Sequence, residues 1–534
     1  MRVGKSRVLG VLSAMSLLAA CNLHGGSSSG APPVPTPQAS DNATPTTSAS
    51  ATPTPLGTAD PSVDPAYSKY YDQQLEWRNC PSGVSAGARV RDLSCAKLTV
   101  PVDWSDPGGA TMQLLLDKVP ATGKRLGSVM TNPGGPGGSG VDFVANDWAA
   151  FPKKITANYD LVGFDPRGVG RSQPIHCLTD SQLDTFLATD PDPTTPERLA
   201  EVVQEDKYFA DQCGSNNGPL LANLGTPSVA RDLDVMRAAT GDRVLHYMGY
   251  SYGTYIGEVY AGLYPTRVGR MVLDGVIDPA LTAADMSIGQ AEGFQLAYSA
   301  FVANCLAGKC LLGSTAAQID ARVAKMLAAV QTNPLPTGQA ARPLNAALAT
   351  TGILFAMYSK NQWAGLRLAL AAAEAGNGGG LLVMADQYAE RENGHYDNNQ
   401  NEVIYAVNCL DHPGADTPAE IQALIPKLTQ QSPVFGPFIA WGNLPCNYWP
   451  VQPTSQAGPI AAPGAPPILV IGTTRDPATP YQWAKSVASE LESGVFLSRD
   501  GDGHTTFAAN NSCVDEAVTN YMVDGTSPAK DTRC

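Results

Sequence analysis

The chain has 534 residues, with 49 acidic against 35 basic side chains and a net charge of −14, so it lacks the concentrated basic surface that gripping a phosphate backbone requires. Nucleic acid is therefore not the expected partner, and the acidity is read as a solubility feature. Hydrophobic residues make up 43% of the chain, which fits a globular protein, and its length exceeds one simple core, so a catalytic domain with an added domain is expected.

In chain order, Arg2, Lys5 and Arg7 precede an apolar run from Val8 to Ala20 that is too short to cross a bilayer and has the flanks of a secretory signal. Leu18-Ala19-Ala20-Cys21 completes it and resembles a bacterial lipobox, in which the signal (1–20) is removed and Cys21 receives lipid. From Asn22 to about Ser62 the chain is almost wholly Gly, Ser, Thr, Pro and Ala, so residues 21–66 read as a lipid-bearing tether with a reach on the order of 100 Å. The expected location is the outer face of the cell membrane or the cell envelope, or outside the cell, with membrane contact only through the lipid. Ten cysteines remain once Cys21 is set aside, and an exported chain keeps disulfides. Sequential pairing is the simplest scheme: Cys80 with Cys95, Cys177 with Cys213, Cys305 with Cys310, Cys409 with Cys446, and Cys513 with Cys534.

Short apolar strands then alternate with helical stretches, the pattern of an α/β protein with a parallel sheet: Gly127 to Thr131, Tyr159 to Phe164, Val244 to Met248, Met271 to Leu273, Ile468 to Ile471, and Gly494 to Leu497. The first runs into Asn132-Pro133-Gly134-Gly135-Pro136-Gly137-Gly138-Ser139-Gly140, whose glycines expose backbone N–H groups suited to an oxyanion. Gly135 is the preferred donor and Gly134 the second. The loop contains a formal G-x-G-x-x-G, but Pro133 and Pro136 break the approach to a helix, and a dinucleotide site is discounted.

Behind the third strand comes Gly249-Tyr250-Ser251-Tyr252-Gly253, a G-x-S-x-G turn between strand and helix. Flanking glycines let such a turn tighten until the serine hydroxyl projects from the sheet. Ser251 is therefore the candidate nucleophile, and the N–H of Tyr252 a second oxyanion donor. The fourth strand ends at Asp274, a rival for the orienting acid. Between Asp274 and Ile468 the chain is mostly helical, with Ile319, Val323, Met326, Leu327 and Val330 at helical spacing behind a Thr315 to Gln318 capping box. This insertion, 280–455, divides the catalytic domain into 67–279 and 456–534 and should cap the carboxyl ends of the strands, where ligands enter such sheets.

Asp476 follows the buried run Ile468-Leu469-Val470-Ile471 and is the favoured acid. Of six histidines, His24 lies in the tail, His176 precedes the elbow, and His246 lies within a strand. His395 and His412 are followed by no strand-end acid in the right relation, which leaves His504, just after Gly494 to Leu497, as the base. Asp500-Gly501-Asp502-Gly503 begins like a calcium loop, but His504 stands at the third ligand position and the closing Glu is missing. No metal and no cofactor are expected.

With these motifs assembled, the chain resembles the secreted actinobacterial tripeptidyl aminopeptidases, in the α/β-hydrolase family that also holds proline iminopeptidases. Further matches are Gly163-Phe-Asp-Pro-Arg-Gly-Val-Gly-Arg-Ser172, Leu273-Asp-Gly275, Ala406-Val-Asn-Cys-Leu-Asp411 and Ile471-Gly-Thr-Thr-Arg-Asp-Pro-Ala-Thr-Pro480. The resemblance implies an α/β-hydrolase fold, a Ser251, Asp476 and His504 triad with Asp476 preferred to Asp274, and an acid site for the substrate's free amine. Asp411, Glu402 and Glu292 are the candidates for that site. Proline iminopeptidases carry His-Gly-Gly-Pro-Gly where this chain has Pro133, which favours the tripeptidyl branch. The expected protein is a monomeric serine peptidase that removes tripeptides, other short peptides or amino acids from the amino end of a peptide or protein. A carboxylesterase or lipase with the same residues is the alternative, and a silent binding lipoprotein a third.

Overall fold

Unbroken apolar runs suit strands covered on both faces, and here they form the middle of a nine-stranded sheet. The computed structural model describes residues 60–84, 92–189, 192–308, 310–414, 416–530 and 532–534. The signal, Cys21 and most of the expected tether lie outside these. The strands are β1 (Ser94–Pro101), β2 (Thr111–Val119), β3 (Gly127–Asn132), β4 (Tyr159–Phe164), β5 (Leu245–Tyr250), β6 (Val268–Asp274), β7 (Arg391–Glu392), β8 (His395–Tyr396), β9 (Ile468–Arg475), β10 (Gly494–Asp502) and β11 (Thr532–Arg533). The large sheet runs β1-β2-β4-β3-β5-β6-β9-β10-β11. From β4 to β11 it is parallel, whereas β1 and β2 add an antiparallel edge, so the sheet is mostly parallel as expected. In Thr111–Val119 the burial pattern alternates at first and then runs buried from Leu114 to Asp117, while Leu116 to Val119 pair with β4.

Chain order reverses at β3, which has β4 on one side and β5 on the other. Such a switch point opens a crevice at the carboxyl ends of the strands. The glycine loop leaves β3 there and Ser251 leaves β5. β6 and β9 are neighbours although the helical insertion separates them in sequence. The insertion's two connecting segments run side by side, with Gly458 N–H donating to Pro279 O at 2.9 Å. It has an apolar core of its own, including Phe301, Ile353, Trp363 and Leu381, apart from the cores that cover the sheet.

Two local expectations need correction. The tether does not extend to residue 66: Asp60 and Asp64 cap short turns at Pro61–Val63 and Pro65–Tyr67, and Asp60 Oδ2 lies 2.5 Å from Arg267. Tyr67 then stacks on Trp104, so the chain is already held to the domain at Asp60. The capping box at the Ala316–Thr332 helix is also only half formed. Thr315 Oγ1 accepts from Gln318 N–H, but Gln318 Oε1 turns to the Ser314 N–H and hydroxyl. Its apolar stripe is nonetheless core, with Ile319, Val323, Met326 and Val330 buried.

All ten cysteines of the described residues are bonded, as Cys80–Cys95, Cys177–Cys213, Cys305–Cys310, Cys409–Cys446 and Cys513–Cys534. Arg167, from the Asp-Pro-Arg-Gly motif, is fully buried in a two-bond pair with Asp232 (2.8 and 2.7 Å) and donates to the carbonyls of Val102 and Asn223. Arg167→Met leaves a buried carboxylate without its cation and is expected to lower unfolding free energy by about 3–5 kcal/mol. Urea denaturation measures this, and a loss below about 1 kcal/mol would mean that Asp232 finds another partner.

Candidate active site

The elbow is set by close backbone approach. A Cβ on Gly249 would lie 2.3 Å from Gly253 O, and one on Gly253 would lie 2.6 Å from Asn132 O, so both flanking positions require glycine. Ser251 itself is held at φ 55°, ψ −128°, a region that non-glycine residues avoid. Its N–H donates to Asp274 O at 3.0 Å, and its carbonyl accepts from the N–H and hydroxyl of Thr254 (2.9 and 2.7 Å). These bonds hold the strained residue at the start of the Tyr252–Leu263 helix.

The glycine loop lies over the elbow: a Cβ on Gly134 would come within 2.8 Å of Ser251 Cβ and 3.1 Å of Tyr252 N. Gly134 N–H is committed to Asn132 Oδ1 at 2.9 Å, which weakens it as an oxyanion donor and leaves Gly135 as the better choice.

His504 Nδ1 lies 2.8 and 2.9 Å from the two oxygens of Asp476, and Thr479 Oγ1 is 3.3 Å from the same nitrogen. Asp476 is 1% exposed, and its carboxylate also accepts from the N–H groups of Ala478, Thr479 and Thr505. The Asp476 carboxylate, held by three backbone donors, therefore faces Nδ1 of the ring. His504 Nε2 is buried and has no partner among the described residues. Burial opposes charging of His504, but the charge and hydrogen bond of Asp476, with the charge of Asp274, outweigh it and hold the imidazole above its ordinary value.

Asp274 does not touch the ring. Its Oδ2 accepts from the N–H groups of Thr506 and Phe507 (2.8 and 2.7 Å), so it anchors the chain just after His504. Burial pushes its carboxyl up to about 6 despite those two bonds. His246 accepts from Arg270 N–H at 3.0 Å and is lowered to about 4 by burial, as suits a structural imidazole. Asp500 and Asp502, the start of the apparent calcium loop, pair with Arg475 (2.8 and 2.5 Å), and Asp502 also with Lys360 (3.1 Å).

None of the three acids expected to hold a substrate amine lines the cleft. Asp411 is enclosed and accepts from the N–H and hydroxyl of Thr226 (2.8 and 2.5 Å) and from the Ser455 hydroxyl (3.2 Å). Glu402 Oε1 accepts the N–H groups of Cys177 and Leu178 (2.7 and 2.8 Å). Glu292 accepts from Gln431 Nε2 at 2.8 Å, helix to helix on the insertion. Each has a local backbone or side-chain partner, which spacing along the chain does not reveal.

The cleft beside His504 has a volume of about 1420 Å³, and its acids are instead Asp147, Asp386, Glu390, Glu392, Asp397 and the Arg475-paired Asp500 and Asp502. Asp386 is matched by Arg342 at 2.6 Å. Glu390 is pushed up to about 7, chiefly by burial and next by the charge of Asp397, against a hydrogen bond from Asn398. It stands at the base of the β7/β8 hairpin, whose turn is Asn393-Gly394, both at positive φ. That Asn-Gly pair was the available sequence signal for the hairpin.

Residues 432–534, which contain Asp476 and His504, match the family described as TAP-like protein. The chain is 37% identical over 478 residues to serine protease Hip1 of Mycobacterium tuberculosis, covering 86% of this chain and 91% of that one. It is 39% identical over 472 residues to a carboxylesterase B of the same species, with 86% and 90% covered. To a tripeptidyl aminopeptidase of Streptomyces lividans it is 33% identical over 486 residues, with 86% of each covered.

Proposed function

The chain belongs to the TAP-like family of α/β-hydrolases and is a serine hydrolase, and from that premise we propose that it removes short peptides, chiefly tripeptides, from the free amino end of its substrates. The observation that carries the mechanism is His504, with Nδ1 on Asp476 and Nε2 left without a partner. Ser251 attacks the scissile carbonyl while His504 Nε2 takes its proton, and the N–H groups of Gly135 and Tyr252 hold the oxyanion. The imidazolium then protonates the leaving amine, and the C–N bond breaks to leave an acyl-enzyme. Water, losing a proton to His504, releases the peptide acid and restores Ser251. Asp476 orients the ring throughout.

Exopeptidase action needs a group that holds the substrate ammonium, and Glu390 supports this reading. Its side chain lines the cleft, is half-buried, accepts from Asn398 Nδ2 at one oxygen and has Asp397 for a neighbour. With its carboxyl pushed up to about 7, Glu390 gains charge as pH rises through neutrality. The affinity for free-amine peptides should therefore improve as pH rises through 7, until the amine itself deprotonates near about 8. Glu390→Gln is expected to raise KM for free-amine peptides about tenfold or more, to remove that pH dependence and to leave N-blocked substrates unaffected. Equal effects on free and blocked peptides would reject the assignment.

A panel of chromogenic aminoacyl, dipeptidyl, tripeptidyl and N-blocked substrates, with matched esters and amides, tests the overall proposal. Equal cleavage of blocked and free peptides would sink the exopeptidase reading, and turnover of esters alone would favour the carboxylesterase reading that uses the same residues. The five disulfides support an oxidising compartment, consistent with export and lipid attachment at Cys21. Among the described residues no helix is long and apolar enough to cross a membrane.

A further inference from the structure

The helical insertion reaches the histidine loop as well as the cleft. Its Ala346–Met357 helix ends at Tyr358, whose carbonyl accepts the backbone N–H of His504 at 2.9 Å. The Tyr358 ring stands perpendicular to the imidazole, with ring centroids 5.4 Å apart and an interplanar angle of 89°. Gly503 is moulded to the same residue: at φ +104° a Cβ there would lie 2.9 Å from Tyr358 O. The Tyr358 ring is itself boxed in by Phe294 at 5.8 Å and Tyr388 at 5.9 Å. Two residues on, Lys360 pairs with Asp502 at 3.1 Å, on the other side of Gly503.

The acid loop is held from the same quarter. Gln290 Nε2 donates to Ala478 O at 3.2 Å, and a Cβ on Gly293 would lie 2.6 Å from Pro477 O and 3.0 Å from Asp476 O. Both sequence segments that supply the acid and the base are thus packed on helices of the insertion.

We infer that Tyr358 is a positioning residue for His504, so that the insertion is part of the catalytic apparatus as well as a selector of substrate. This rests on the reading of His504 as the base. Asp476 fixes only the Nδ1 edge of the imidazole, and a ring held at one edge can still swing its far nitrogen. The Tyr358 ring removes that freedom, and the Tyr358 carbonyl fixes the backbone from which the imidazole hangs. A displacement of about 1 Å at Nε2 is enough to cost on the order of a hundredfold in rate.

The experiment compares Tyr358→Leu and Tyr358→Phe with the unaltered chain by three readouts: kcat and KM on a tripeptidyl chromogen, the second-order rate of fluorophosphonate labelling, and thermal unfolding. Tyr358→Leu is expected to lower both kcat and the labelling rate by about ten- to a hundredfold, with KM within about threefold, whereas Tyr358→Phe, which keeps the ring, stays within about threefold in both. A folded Tyr358→Leu protein with unchanged labelling, or one impaired only in KM, overturns the inference. So does a Tyr358→Phe protein as slow as the leucine variant, because the ring would then not be what matters. If Tyr358→Leu does not fold, Tyr358→Met, which better preserves side-chain bulk, decides by the same readouts. Ser251→Ala and His504→Ala are run alongside. Activity surviving in those two would overturn the site reading itself, while their inactivity beside an unimpaired Tyr358→Leu would overturn the positioning role alone.

Discussion

Ser251→Ala is expected to lower kcat by about 10⁶-fold while leaving the fold intact. On the proposed mechanism the rate loss follows from removing the hydroxyl that would form the acyl bond. Stability should change little, within about 0.5 kcal/mol. What holds position 251 is its backbone, bonded to Asp274 O and to Thr254, and alanine keeps both bonds and the same φ. Steady-state kinetics with a peptide chromogen, paired with thermal unfolding, checks both halves. A residual kcat within tenfold of the starting enzyme would mean that another group is the nucleophile.

Asp476→Asn should lower kcat by about 10⁴-fold, through the tautomer of His504 rather than through lost packing. Asp476 Oδ1 accepts from Ala478 N–H and Thr479 N–H, so the single oxygen of an asparagine is required at that position. The amide NH₂ then takes the place of Oδ2, where it faces Thr505 N–H and His504 Nδ1. Donating to Nδ1 forces the ring proton onto Nε2, and the nitrogen that should accept from Ser251 becomes a donor. The Thr505 N–H loses its acceptor, at a stability cost of about 1–3 kcal/mol. Removing the charge that holds His504 above its ordinary value must also lower its pKa, so the acid limb of kcat/KM moves to lower pH. A pH–rate profile of the variant measures the shift and the rate together. An unchanged limb, or a loss smaller than about tenfold, would point to Asp274 as the functional acid.

Residues governed by local backbone geometry were legible in advance. The elbow is one case: two glycines around a serine admit few conformations, and the close approaches at Gly249 and Gly253 are the physical form of that pattern. β9 is another, because four consecutive buried aliphatic residues suit a strand covered on both faces. The antiparallel strands β1 and β2 were not read, since Ser94–Pro101 and Thr111–Val119 mix polar and apolar residues and owe their place to pairing with each other and with β4. The candidate amine-binding acids were chosen without sight of their partners. Asp411, Glu402 and Glu292 have the right chemistry, yet Thr226, Cys177 and Gln431, all more than a hundred residues away in sequence, take up their oxygens.

By itself the sequence determined the order of the proposed catalytic features: a glycine-rich loop, then an elbow serine, then an acid and a histidine after successive strands. Turn geometry and strand periodicity act over a few residues, and each of these features is written within such a span. Only the tertiary structure decided which carboxylates reach the cleft and what holds the histidine. Whether a side chain is free or already satisfied depends on donors brought to it from distant segments, as Thr226 is to Asp411 and Tyr358 to His504.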